Sequence, residues 1–104
     1  KGARPVHNDI ELEETTVDIL RDSLSAGTLV DFPPQLAAED FAAFSRRVPG
    51  CYLFLGVRNE SEGITSGLHT PTFDVDEDCL PLGVEAMTTA LLETARRRTR
   101  RERR

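Results

Sequence analysis

The residue in this chain best suited to chemistry is His69. It is one of two histidines, and it stands in the run Leu68-His69-Thr70-Pro71-Thr72-Phe73-Asp74-Val75-Asp76-Glu77-Asp78. Neutral imidazole is the commonest metal ligand, and Thr70-Pro71 stiffens the loop that would carry it. A lone histidine holds no metal ion; it needs two or three partners. Glu39 and Asp40 are the carboxylates that can approach it from elsewhere in the chain, to complete or support such a site. The same residues also have a plainer reading. Asp74 to Asp78 suit the cap of a helix, and Glu39 and Asp40 suit the positive end of another. Other chemistries find no pattern. No cluster of glycines opens a helix to cradle a phosphate. The serines lack a nucleophile motif. Two Cys and two His, separated by 28 and 62 positions, do not make a zinc finger. His7 sits in an N-terminal arm and reads as surface.

The elements that must position these residues read as helix, strand, helix, strand, loop, helix, an α/β order. Asn8 or Asp9 is a good N-cap, with Glu11, Glu13 and Glu14 near the positive end of the helix that follows. Val17, Leu20 and Leu24 form its apolar stripe, and Gly27 is a natural stop, so a helix is predicted over 10–26. Residues 28–32 read as a short strand ended by Pro33-Pro34. A helix over 38–48 would carry Phe41, Phe44 and Val48 on one face. Pro49-Gly50 marks a turn. Residues 51–57, Cys-Tyr-Leu-Phe-Leu-Gly-Val, are the most apolar run and read as a central strand buried on both faces. Residues 58–67 read as a loop. Asp76 or Asp78 can cap the last helix, where Pro81 suits the first turn and Leu80, Val84, Met87 and Leu91 give a 4-3-4 core stripe. Two strands alone make a marginal sheet, so the pattern calls for more strands beside them.

At 104 residues with 38% apolar composition, the chain has room for one modest core. No run approaches the length of a membrane span, and the polar start lacks a signal-peptide pattern. Opening on Lys1, the sequence reads as the interior of a longer protein. Cys51 and Cys79 read as reduced thiols of a cytoplasmic protein. Arg96 to Arg104 holds seven Arg and one Glu, a balance of +6, whereas the whole chain is −5, so residues 1–95 carry −11. That acidic body argues against nucleic-acid binding except through the Arg-rich tail, itself expected to be a solvated, disordered terminus. Phe41, Phe44, Tyr52 and Phe54 read as core, since no basic residues interleave with them.

Three motifs then stand in order: Ala37-Ala38-Glu39-Asp40-Phe41-Ala42-Ala43-Phe44; Val48-Pro49-Gly50-Cys51-Tyr52-Leu53-Phe54-Leu55-Gly56; and Leu68 through Val84. In order and spacing they resemble the C-terminal end of the aminoacylase/carboxypeptidase family of metal-dependent amidohydrolases, which includes N-acyl-amino-acid amidohydrolases, hippurate hydrolases and plant auxin-conjugate hydrolases. The resemblance covers residues 5–95. It implies a partial catalytic domain of a two-metal enzyme. Residues 1–9 would be the end of an inserted lid or dimerisation domain, 10–95 the C-terminal part of the α/β catalytic domain, and 96–104 the Arg-rich tail. It also implies a divalent metal pair, Zn or Mn, activating water to cleave the amide of an N-acyl amino acid. His69 matches the family's C-terminal metal-ligand histidine. The general base and the other ligands are expected upstream, so no catalytic residue is expected in this chain, and the chain alone is expected to be inactive. Two departures stand out: Ala37-Ala38 replaces Gly-Gly, and His-Thr-Pro replaces His-Ser-Pro. The alternative is a non-enzymatic remnant, a small acidic interaction module that pairs with itself or with a complementing chain.

Overall fold

Asp9, not its neighbour Asn8, starts the first helix. In the computed structural model, which describes residues 5–35 and 38–104, the Asp9 carboxylate accepts from the Leu12 N–H at 2.9 Å, satisfying one of the donors a helix start leaves orphaned. Helix α1 spans Ile10–Ser23, stopping short of the expected residue 26. Leu24 turns extended while its N–H still reaches Leu20 O. Gly27 then takes φ +82°, a conformation that suits glycine. The buried face is Thr16, Ile19 and Leu20, rotated from the predicted Val17, Leu20 and Leu24 stripe. Thr16 joins it because its hydroxyl donates to Leu12 O at 2.7 Å, so burial leaves no unmet polar group.

The strands expected over 28–32 and 51–57 are not formed; no β-strand occurs among the described residues. Extended backbone becomes sheet only where a neighbouring strand takes up its N–H and C=O groups in a ladder, and no such ladder forms among the described residues. The expectation that 51–57 is buried on both faces is likewise corrected: Leu53, Phe54 and Leu55 are 39%, 55% and 40% exposed. The helix expected over 38–48 shrinks to α2, Ala42–Ser45. Around it, Ala42, Ala43 and Arg47 donate to carbonyls three residues back, the tighter 3₁₀ pattern. Phe44 and Val48 are exposed, so no burial rewards a longer helix, and Pro49 disfavours helix at Val48.

Helix α3 spans Cys79–Glu102. Residues 96–102 thus continue a helix instead of forming a disordered tail. Arg is a good helix former. Arg96 pairs with Glu93, Arg98 with Glu102 at 3.0 Å, and cations suit a helix C-terminus. The expected stripe of Leu80, Val84, Met87 and Leu91 is not a core here, since all four are exposed. The half-buried face holds Cys79, Leu82, Gly83, Ala86 and Thr89, with Ala90 buried.

Contacts divide the chain into two units, 1–53 with 89–104, and 54–88. In the first, Ile19, Leu20, Ala42 and Ala90 supply the buried apolar side chains. Glu11 of α1 also pairs with Arg101 there. In the second, Asn59 and Ile64 form an isolated antiparallel bridge with two backbone hydrogen bonds of 2.9 and 2.8 Å. Gly83 leaves room for Leu55, whose Cδ2 lies 2.8 Å from where a Cβ would stand. The expected start at residues 1–4, and Ala37 of the Ala37-Ala38 departure, lie outside the described residues.

Candidate functional site

His69 is presented by a turn that braces itself. The Thr70 hydroxyl donates to Gly67 O at 2.8 Å, Ser66 and Thr72 share a hydroxyl hydrogen bond of 2.7 Å, and the Phe73 N–H reaches Thr70 O at 3.2 Å. His69 itself sits at φ +62°, the one positive φ at a non-glycine among the described residues. That conformation costs a residue with a Cβ about 1–2 kcal/mol, and such strain persists where the surroundings over-determine it, often at functional positions. The His69 side chain is exposed.

The acids after it are held as structure. Asp76 is fixed at four points. Its N–H donates to Val57 O at 2.9 Å, and its C=O accepts from Cys79 N at 3.0 Å. Its carboxylate takes the Asn59 amide at 2.8 Å through Oδ2 and the Asp78 N–H at 3.0 Å through Oδ1. Asn59 in turn accepts from Ser61 N, Ser61 Oγ and Glu62 N. The bridged turn at 59–64 therefore anchors the lead into α3, and of the two caps considered, Asp76 supplies the carboxylate that orders this entry. Asp74 only closes on the neighbouring Val75 N–H.

Glu39 lies in the other unit, where the first two motifs meet. Its Oε1 accepts from Phe41 N at 3.1 Å and its Oε2 from the Tyr52 hydroxyl at 3.1 Å. Phe41 stands between Tyr52, at 5.3 Å between ring centroids, and Gly50, which a Cβ would bring to 3.1 Å from the ring. The hydrogen bond to Glu39 pushes the Tyr52 phenol up from its ordinary pKa, with burial and the Glu39 charge adding to the rise. Asn8 ties the arm before α1 to this cluster. Its Oδ1 accepts from Tyr52 N at 2.8 Å and its amide donates to Tyr52 O at 3.3 Å, beside a backbone bond from Asp9 N to Gly50 O at 2.9 Å. Next to it, burial raises the Cys51 thiol pKa, Thr16 partly offsets this by hydrogen bonding, and the Glu13 charge raises it further. Both cysteines are free thiols.

Of the residues singled out in the sequence, His69 falls in one unit and Glu39 and Asp40 in the other. Asp40 is exposed. Among the described residues no three His, Cys, Asp or Glu side chains group closely enough to hold a metal ion, so the residues present do not by themselves fit a metal pair. Two surface depressions, of about 400 and 290 Å³, are lined by α3 from Leu92 to Arg103 and by residues of 7–9 and 45–49; neither includes His69, Glu39 or Asp40. No helix among the described residues is long and apolar enough to cross a membrane. Sequence reasoning missed the roles of Asn8, Tyr52 and Asn59. The available signal was compositional for Tyr52, the single tyrosine of the chain, set in an otherwise aliphatic and Phe-bearing run.

Comparison with known proteins follows the same residues. The family model described as Peptidase family M20/M25/M40 matches residues 1–93. Thermostable carboxypeptidase 2 of Saccharolobus solfataricus is 44% identical over 79 residues, 76% of this chain and 20% of that protein. IAA-amino acid hydrolase ILR1-like 6 of Arabidopsis thaliana is 43% identical over 72 residues, 69% of this chain and 15% of that protein. N-acetyldiaminopimelate deacetylase of Pediococcus pentosaceus is 36% identical over 86 residues, 83% of this chain and 21% of that protein. The chain thus spans about a fifth of the length of such relatives. No solved structure matches it.

Proposed function

Because the chain belongs to peptidase family M20/M25/M40, we propose that it is the C-terminal part of an α/β catalytic domain that hydrolyses the amide bond of N-acyl amino acids or similar small amides. Residues 10–95 are its catalytic-domain portion, and residues 1–9 return from an inserted lid or dimerisation domain. His69 would be one ligand of a divalent metal pair, Zn or Mn, which would supply Lewis-acid activation of water. The remaining ligands and the general base come from chain not contained in these 104 residues. The observation that carries this reading is His69 itself. It lies within the family match, on a braced turn, in a left-handed backbone that costs stability. Glu39 is a strut between Tyr52 and Phe41 within its own unit, not a free ligand, since both its oxygens are engaged.

Alone, the chain has no turnover and binds Zn or Mn only weakly. Assay of the purified chain on N-acetyl amino acids with either metal tests this, and hydrolysis lost in His69→Ala would refute it. A chimera tests the positive claim. These residues replace the matching fifth of the Saccharolobus carboxypeptidase, and metal content and amide hydrolysis are followed. Activity that vanishes together with one metal equivalent in His69→Ala supports the role of His69. A folded, active chimera indifferent to His69→Ala removes it.

A further inference from the structure

The last turns of α3 lie past residue 93, where the family match stops. Residues 96–104 hold seven Arg and one Glu, and the domain shared with the relatives does not account for them. Their pairing is uneven. Arg96 pairs with Glu93, Arg98 with Glu102 and Arg101 with Glu11. Arg97, Arg100, Arg103 and Arg104 are exposed and take no ion pair among the described residues. The chain keeps winding beyond Glu102, since the Arg104 N–H reaches Arg101 O at 3.3 Å. At about 100° per residue these four arginines fall within an arc of about 120° and span about 10 Å along the axis. Arg98 and Arg101 fall outside that arc, and Arg96, inside it, is already engaged by Glu93.

Like charges this close on one helix face repel one another. A partner with repeated negative charge relieves that repulsion, and guanidinium binds phosphate oxygens in pairs. Three observations choose among polyanions. No aromatic residue occurs from Cys79 to Arg104, so unstacked bases find no platform, which disfavours a single strand. No large apolar side chain follows Leu92, so this end has nothing to insert into a lipid surface. Charge spacing decides the third. A nucleic-acid duplex presents one charge per about 1.7 Å of axis, so about 10 Å of helix meets about six phosphates; an extended acidic peptide offers at most one carboxylate per about 3.3 Å. Residues 1–95 carry −11, which keeps the body away from the same polyanion and leaves this end as the point of contact.

We propose that Arg97, Arg100, Arg103 and Arg104 form a contact for the phosphate backbone of a double-stranded nucleic acid, bound through the last turns of α3 without reading base sequence. This does not rest on the catalytic reading above and survives its failure.

Fluorescence anisotropy of the 104-residue chain with a short labelled DNA duplex, over a series of salt concentrations, tests it. The expected plot of log affinity against log salt has a slope of about −3.6, four phosphates at about −0.9 each. Arg97→Gln with Arg100→Gln halves that slope to about −1.8. Arg96→Gln with Arg98→Gln removes as much charge and leaves the slope near its starting value. Gln forms helix about as well as Arg, and ellipticity at 222 nm checks that both variants stay folded. Absence of binding at low salt overturns the proposal, and so does an equal loss of slope in the two variants, the mark of net charge alone. Among unlabelled competitors matched for charge, the duplex displaces the probe best; a single strand, poly-glutamate or phosphatidylserine vesicles outdoing it overturns the proposal too. The Saccharolobus chimera carrying the same residues gives the last arm. Duplex binding shown by the chain and lost in the folded chimera means that the rest of the catalytic domain covers the stripe, and it overturns the proposal as well.

Discussion

Replacing Asn8 by Ala removes a side-chain clamp without touching the helix cap beside it. Asn8 accepts from Tyr52 N at 2.8 Å and donates to Tyr52 O at 3.3 Å. Each such bond contributes about 0.5–1.5 kcal/mol net, and the longer one belongs near the lower end. Both are only partly buried, so water can re-satisfy Tyr52 and no full desolvation penalty is added. The expected loss is about 1–2 kcal/mol, read as a lower urea midpoint by circular dichroism. Asp9→Ala, which removes the cap bond to Leu12, costs about 1 kcal/mol, so stability alone does not separate the two roles. Amide hydrogen exchange does. Asn8→Ala exposes the Tyr52 amide and leaves Leu12 protected; Asp9→Ala does the reverse. Asn8→Asp keeps the acceptor but turns a carboxylate toward Tyr52 O. It is at least as destabilising as Ala at neutral pH and recovers as acid protonates it below about pH 4. Unchanged protection of the Tyr52 amide in Asn8→Ala would refute the clamp.

Three further outcomes are expected. Tyr52 is the only tyrosine and Trp is absent, so phenolate absorbance reports Tyr52 alone. Its titration lies above the ordinary value of about 10 and moves back toward it in Glu39→Gln. Since the folded phenol holds its proton more tightly, this interaction stabilises below pH about 10 and is lost as pH rises through the folded pKa; a titration below the ordinary value would contradict the hydrogen bond. His69→Gly relieves the left-handed backbone and leaves stability unchanged or raised by about 1 kcal/mol, whereas His69→Val lowers it; equal losses in both would show that the ring, not the backbone, matters to the fold. Leu20→Ala, at a side chain 2% exposed, costs about 2–5 kcal/mol and unfolds the unit that contains α1; a loss below about 1 kcal/mol would mean that this core is not closed.

What the sequence made legible was local. The start of α1, the loop at 58–67 and the entry of α3 near Asp76 and Pro81 follow from capping and turn chemistry within a few residues, whereas α1 ends at Ser23, before the expected glycine stop at Gly27. Non-local partners were less legible. The 51–57 run has strand composition, yet Tyr52 bonds to the Asn8 side chain and Val57 O accepts from Asp76 N, neither of them a second strand. The α3 stripe was recognised by its spacing, but spacing marks an apolar row without saying whether a core receives it. At the candidate site, His69 was identified from its motif. The left-handed φ at His69 and the Asn59–Asp76 tether were not: the first is a backbone state that a histidine does not announce, and the second needs side chains meeting across 17 positions. Glu39 and Asp40 look alike in sequence; only the placement of Tyr52 gives Glu39 its engaged carboxylate.

The Asn59 tether makes the approach to α3 depend on a single amide. The approach to α3 is joined to the bridged turn by one primary amide meeting one carboxylate at 2.8 Å. Hydrolysis of that amide replaces –NH₂ by oxygen, converts Asn59 to Asp, and sets two anions where a donor met an acceptor. No backbone bond need break for the fastening to become repulsive. A protein stored long enough to deamidate there would keep its mass almost unchanged and its helices intact. The approach to α3 would be loosened while the fold still looked whole.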